Sequence, residues 1–143
     1  MWLSNLELRP LSVTHRGALG VHLLSLTPED RYARFGLTLS DEAVLGWVER
    51  LRWDDHHWWG AWMTHDADLG LLGSLQLSAS ASPGDWELGL SVAEPLRRRG
   101  LGRLLLSTAL NHLPQVQRIV CHHGHPAVEN MLRRLGHPLM RPA

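Results

Sequence analysis

The chain of 143 residues contains no lysine; its fourteen strongly basic residues are all arginine. That absence removes a Walker-type phosphate loop, which needs its Gly-Lys pair, and every Schiff-base or pyridoxal mechanism. Cysteine is nearly absent as well. Cys121 stands alone, so neither an internal disulfide nor a cysteine-rich zinc site is expected, and a small buried apolar role suits it better than a nucleophile's. No apolar run approaches the roughly 20 residues of a membrane span. No leader with basic, apolar and small-residue zones opens the sequence, so the expectation is a soluble, cytoplasmic protein with no membrane partner.

What remains is an ordinary globular mixture, 44% apolar and 20% charged, long enough for one self-supporting domain over residues 1–143. Net charge is zero but unevenly spread. Residues 1–94 hold six Arg against thirteen Asp and Glu, giving −7; residues 95–143 hold eight Arg against Glu129, giving +7. Either the C-terminal half meets an anion and the N-terminal half something neutral or cationic, or the two halves attract each other.

Alternation in LELRPLS (6–12) predicts an opening strand, and residues 14–26 a weaker helix interrupted by two glycines. TPED (27–30) reads as a turn or helix start. Ser40 caps a helix over 40–51, with Val44, Trp47, Val48 and Leu51 on one face. Strands follow at 57–65, 71–80 and 86–92, the first two joined by DADLG as a hairpin. A helix over 100–113 carries Leu101, Leu104, Leu105, Thr108 and Ala109 as its stripe; a strand at 116–122 and a helix from Pro126 to Gly136 complete the order. This is a mixed α/β sheet in which 86–122 forms a parallel strand–helix–strand unit.

The junction VAEPLRRRGLGRLLLSTAL (92–110) is where the chain spends its positive charge. A strand ending at Val92 and feeding a helix near Gly100 leaves backbone N–H groups free at a positive dipole end. Glycines at 100 and 102 admit a phosphate to the backbone, and Arg97, Arg98, Arg99 and Arg103 add charge-assisted hydrogen bonds. The third glycine of a dinucleotide fingerprint is missing and the loop is too long for one.

The spacing V-x-x-x-x-R-x-x-G-x-G-x-x-L-L from Val92 to Leu106 resembles the acetyl-CoA signature of the GNAT acetyltransferase superfamily. Arg97, Gly100 and Gly102 take its three signature positions, with Val92, Arg98, Arg99, Leu101 and Arg103 beside them in the cofactor loop. TPEDRYARFG (27–36), WELGLSV (86–92) and HPAVENMLRRLGH (125–137) resemble further segments of that superfamily, the first from a subgroup that includes protein-lysine acetyltransferase domains. Departures are confined to the last segment. His125 stands where the family carries Asn against the pantetheine arm, the helix lacks the tyrosine many members use as general acid, and the sequence runs only seven residues past Gly136, where members continue into a hairpin. The resemblance therefore implies a GNAT-like fold with a truncated C-terminal hairpin, its gap either filled by a second copy of the chain in a homodimer or left as an open acceptor site.

The activity implied is transfer of an acetyl group from acetyl-CoA to a primary amine, on a small molecule or a protein lysine. A non-catalytic module that binds CoA thioesters as a sensor or partner subunit is the alternative. For catalysis the resemblance points to Glu87 as base, to a backbone N–H near Ser91 or Val92 against the thioester carbonyl, and to His125 as acid or base beside the arm, with His123 as its rival. Strand alternation puts Glu87, Gly89 and Ser91 on the face opposite Trp86, Leu88 and Leu90. CHHGH (121–125) lacks metal-ligand spacing, because His122 and His123 point to opposite faces of a strand, so no metal is expected. Trp53, Trp58, Trp59 and Trp62 sit among acidic residues, which favours core packing or an acceptor wall over a nucleic-acid platform; no nucleic-acid partner is expected.

Overall fold

A computed structural model describes residues 5–97, 99–121, 126–136 and 139–140. The chain opens with strand β1 (Leu6–Pro10) and three helices, α1 (Arg16–Leu24), α2 (Pro28–Phe35) and α3 (Asp41–Glu49). Strands β2 (His56–Met63), β3 (Gly73–Ala79) and β4 (Asp85–Val92) follow, then α4 (Leu101–His112), β5 (Arg118–Val120), α5 (Pro126–Arg134) and β6 (Leu139–Met140). They make one sheet in chain order, β1-β2-β3-β4-β5-β6. Pairing is antiparallel as far as β4 and parallel from β4 to β5, as the strand–helix–strand reading of 86–122 requires.

The structure completes one element of the sequence reading and changes two others. TPED begins a complete helix: the Thr27 hydroxyl accepts the Asp30 N–H at 3.2 Å, Pro28 holds the first position, and two acids face the positive end. The strand at 116–122 shortens to Arg118–Val120, because Val116 still donates to Leu113 O in the turn that closes α4. Beyond Gly136, β6 pairs parallel with β5, so the chain lays a strand of its own beside β5.

Alternation along β2 divides the core between the sheet's faces. Trp58 and Trp62 lie under Leu19, Leu23, Val44 and Val48 of α1 and α3. Trp59 and Ala61 lie with Leu75, Leu77 and Ile119 under Leu101, Leu105, Leu106 and Ala109 of α4 and Leu132 of α5. Core packing is thus what Trp58, Trp59 and Trp62 do; each large side chain so buried contributes about 1.5–3 kcal/mol. The buried stripe of α4 is rotated from the expected one. Gly102 and Leu106 are buried, whereas Leu104 and Thr108 are only half-buried. The rotation brings Gly102 down onto Leu90 and Val92 of β4. Among the described residues, no helix is long and apolar enough to cross a membrane.

Candidate functional site

The turn between β4 and α4 is shaped for an anion. Gly100, the residue before the helix, has φ of 86°, a left-handed conformation that a side chain would strain, and it accepts the Leu104 N–H. No side chain caps this end, so the first N–H groups of a twelve-residue helix are available to a ligand. Gly102 lines the same cavity, where a Cβ would occupy space between Leu90 and Met131. Arg103 and Arg134 are exposed cations on its rim, and Arg99 is exposed beside it.

Arg97 lines the cavity and is also tied to its neighbours. Its Nη2 donates to the Asp30 carboxylate and its Nε to Val92 O at 3.2 Å, so the side chain braces the loop against α2. Burial pushes the Asp30 carboxyl up, but hydrogen bonds from Arg97 and Thr27 outweigh it, and the pKa lies below the usual aspartate value. Arg98, His123 and His125 lie outside the described residues.

The cavity continues from this loop into the sheet, with a volume of about 620 Å³. Among the described residues β4 and β5 pair at Asp85–Arg118, Trp86–Ile119 and Glu87–Val120, while β4 runs on to Val92 along the cavity, which Cys121 lines from the end of β5. Ser80 N–H donates to Asp85 O of β4, and Ala93 N–H donates to Leu72 O, so odd-numbered residues of β4 present their backbone groups to β3. Alternation then directs Leu90 and Val92 toward the cavity. Of the two N–H groups considered for the thioester carbonyl, Val92's faces the opening and Ser91's faces β3. The Ser91 side chain is buried in a chain of hydroxyls, 2.9 Å from Ser74 Oγ and 2.8 Å from His22 Nε2. Burial pushes His22 down to about 4, which keeps its ring neutral at neutral pH.

At the inner end, Glu87 and Gly89 occupy one face of β4, and Glu87 is exposed to the cavity. Register aligns Glu87 with Ser78 and His56 across three strands, and His56 Nδ1 lies 2.8 Å from Ser78 Oγ. Burial lowers the His56 pKa, against an opposing pull from Asp55. Arg34 of α2 lies flat on Gly89. A Cβ there would sit 2.3 Å from the guanidinium carbon, so only glycine leaves the space. Its Nη2 donates to Gln76 Oε1 at 2.5 Å, and the cation lies 5.3 Å from the Trp47 ring. Burial lowers Arg34 to about 10, with Glu87 pulling the other way; it stays charged at neutral pH.

The loop residues, Glu87, Ser91 and Val92 therefore meet around one cavity. Asp30, Arg34, Gln76, Ser78, His56 and His22 were not singled out by sequence. His22 left a signal, since a polar residue between Leu19 and Leu23 in an apolar helix must face the core. Arg34 belongs to TPEDRYARFG, whose likeness was noted without assigning it a task. The Ser78 and His56 positions depend on strand register and left none.

The comparisons agree with this geometry. No curated protein sequence matches the chain. Similar folds include an acetyltransferase from Thermus thermophilus, 21% identical with a TM-score of 0.68, the match covering 95% of this chain and 88% of that one. An aminoglycoside N-acetyltransferase in complex with CoA is 18% identical at TM-score 0.63, with 96% and 91% coverage. The ribosomal-protein-S5-alanine acetyltransferase from Vibrio fischeri is 13% identical at 0.59, with 92% and 79% coverage. The profile of the family described as Acetyltransferase (GNAT) domain matches residues 5–137. That match runs from the first strand through every wall of the cavity, and the chain belongs to the GNAT acetyltransferase family.

Proposed function

We propose that the protein transfers an acetyl group from acetyl-CoA to a primary amine by direct attack within a ternary complex. The observation that carries this reading is the continuity of one cavity from the uncapped end of α4, along β4, to Glu87. The donor set fits the cofactor: free helix N–H groups and Gly102 for the pyrophosphate, Arg103 and Arg134 for its charge, and the length of the cavity along β4 for an extended arm. Bound there, acetyl-CoA supplies an activated acyl thioester.

The protein's own residues do the rest. Val92 holds its N–H toward the cavity, where negative charge develops on the thioester oxygen, an interaction of the oxyanion-hole type. The His22–Ser91–Ser74 chain fixes the strand one residue away. Glu87 accepts the proton that the attacking amine must lose, and Ser78 and His56 lead from it toward solvent. The N–C bond would form as the C–S bond breaks, the proton that Glu87 takes from the nitrogen passing to solvent and balancing the one that the leaving sulfur takes up.

Calorimetric titration with acetyl-CoA, beside ATP and NAD, tests the cofactor; thiol release with an amine panel tests the chemistry. Glu87→Gln should lower kcat by about 100-fold or more, the usual scale for a general base, while leaving acetyl-CoA affinity unchanged. Equal turnover in the variant would remove Glu87 as base. Selective acetyl-CoA binding without thiol release from any amine would favour the non-catalytic alternative.

A further inference from the structure

Arg34 is a cation with no close ion-pair partner among the described residues; Glu87 acts on it only from longer range. Among them its one hydrogen-bond acceptor is the neutral amide of Gln76, and its buried Nε has no partner. Buried charges are ordinarily paired, because desolvation without a partner is costly. The other arginines of the cavity do not share this state. Arg97 has Asp30, and Arg103 and Arg134 stand in water at the α4 end. Gly89 supplies the room that lets the guanidinium rest on β4, two residues along the same strand face from Glu87.

We propose that Arg34 is the carboxylate anchor of the acceptor site, and that the acceptor is a small amino acid held as a zwitterion, its amine at Glu87 and its carboxylate on Arg34. The inference rests on the acetyltransferase reading and names the substrate class. Residues two apart on a strand face are separated by about 7 Å, a span that an amine and a carboxylate a few bonds apart bridge with one hydrogen bond at each end. Charge points the same way. Glu87 and Arg34 cancel, so this end of the cavity attracts a dipolar ligand and gives a polycation no net attraction, despite the acidic surface of the N-terminal half. A planar guanidinium also meets a carboxylate in two parallel hydrogen bonds, which fixes the ligand's orientation as well as its charge.

The test is thiol release by the full chain with acetyl-CoA, comparing amino acids with the amines left when their carboxylate is removed, and with spermidine. Amino acids should be preferred in kcat/KM by about 10- to 100-fold, the scale of a lost charge-assisted hydrogen bond. Arg34→Gln should erase that preference while leaving acetyl-CoA affinity intact. Gly89→Ala is the second variant: its methyl group evicts the flexible end of Arg34 without touching the arginine itself, and it should erase the preference too. Faster turnover of simple amines or spermidine by the wild type, or a ratio unchanged in both variants, would overturn the proposal. If acetyl-CoA binds but no amine turns over, the catalytic reading fails separately. Calorimetry of amino acids onto the CoA-loaded protein then decides: saturable binding lost in Arg34→Gln upholds the anchor, and no binding overturns it.

Discussion

The two ends of the cavity are built from different materials. The end at α4 is mostly backbone: an uncapped helix terminus, a left-handed glycine and a second glycine on the cavity wall. The inner end is mostly side chains drawn from α2, β3 and β4: Arg34, Gln76, Ser78 and Glu87. A backbone site recognises what is common to many ligands, since every residue carries the same N–H. A side-chain site discriminates, because each group can be exchanged. The contrast is sharpest between two arginines. Arg97, at the backbone end, is bonded to Asp30, while Arg34, at the side-chain end, has a buried Nε with no partner among the described residues.

The contrast breaks most completely at Gly102. Gly102→Asp places a carboxylate among the free N–H groups, and acetyl-CoA affinity should fall by more than about 100-fold, the cost of a buried unpaired charge facing phosphate. The nearest atoms to a new Cβ stand at 3.4 Å, so the fold should survive, and circular dichroism beside calorimetry separates the two effects.

Next in size is the effect of protonating His22. Burial holds its folded pKa at about 4, below the ordinary histidine value of 6.5, so the folded state resists a proton that the unfolded chain accepts. Stability is therefore complete above pH 6.5 and is lost as pH falls toward 4. By linkage, the loss between pH 7 and pH 5 should be about 2 kcal/mol. His22→Asn should abolish that slope, read from urea midpoints at the two pH values; parallel slopes would contradict it.

The smallest effect sharpens the arginine comparison. Arg97→Ala removes the brace from Asp30 and should cost about 1 kcal/mol of stability, solvent access to Arg97 having been allowed for. Arg103→Ala should cost none and weaken acetyl-CoA binding severalfold. If Arg97→Ala left the denaturation midpoint unmoved, the brace would carry no energy.

The same division decides what a reader of the sequence can see. The loop was legible because its function depends on local chain geometry, which Gly100, Gly102 and their spacing from Val92 write directly into the sequence. Glu87 and its face were legible because a strand alternates. Gly89 was placed on that face with no partner in view, since what rests on it comes from a helix more than fifty residues earlier. Ser78 and His56 became neighbours only through the register of two hairpins. Arg97 was half legible for a related reason: its position in the motif was plain, but the carboxylate that meets its guanidinium lies on α2. The rotation of α4 toward Leu106 likewise follows from packing on β4, which helical periodicity alone does not encode.

Helix α2 carries Asp30 and Arg34 one turn apart. The first grips the β4–α4 loop through Arg97; the second forms the inner wall over Gly89. One short rigid element thus spans both subsites, and neither can be repositioned without moving the other. The thermodynamic consequence is cooperativity between the two ligands. A cofactor that settles the loop also settles the guanidinium, lowering the ordering cost for whatever binds second, and reciprocity obliges the acceptor to return the same advantage to the cofactor. On the proposed reading, a single turn of helix would couple donor and acceptor equally, whichever binds first.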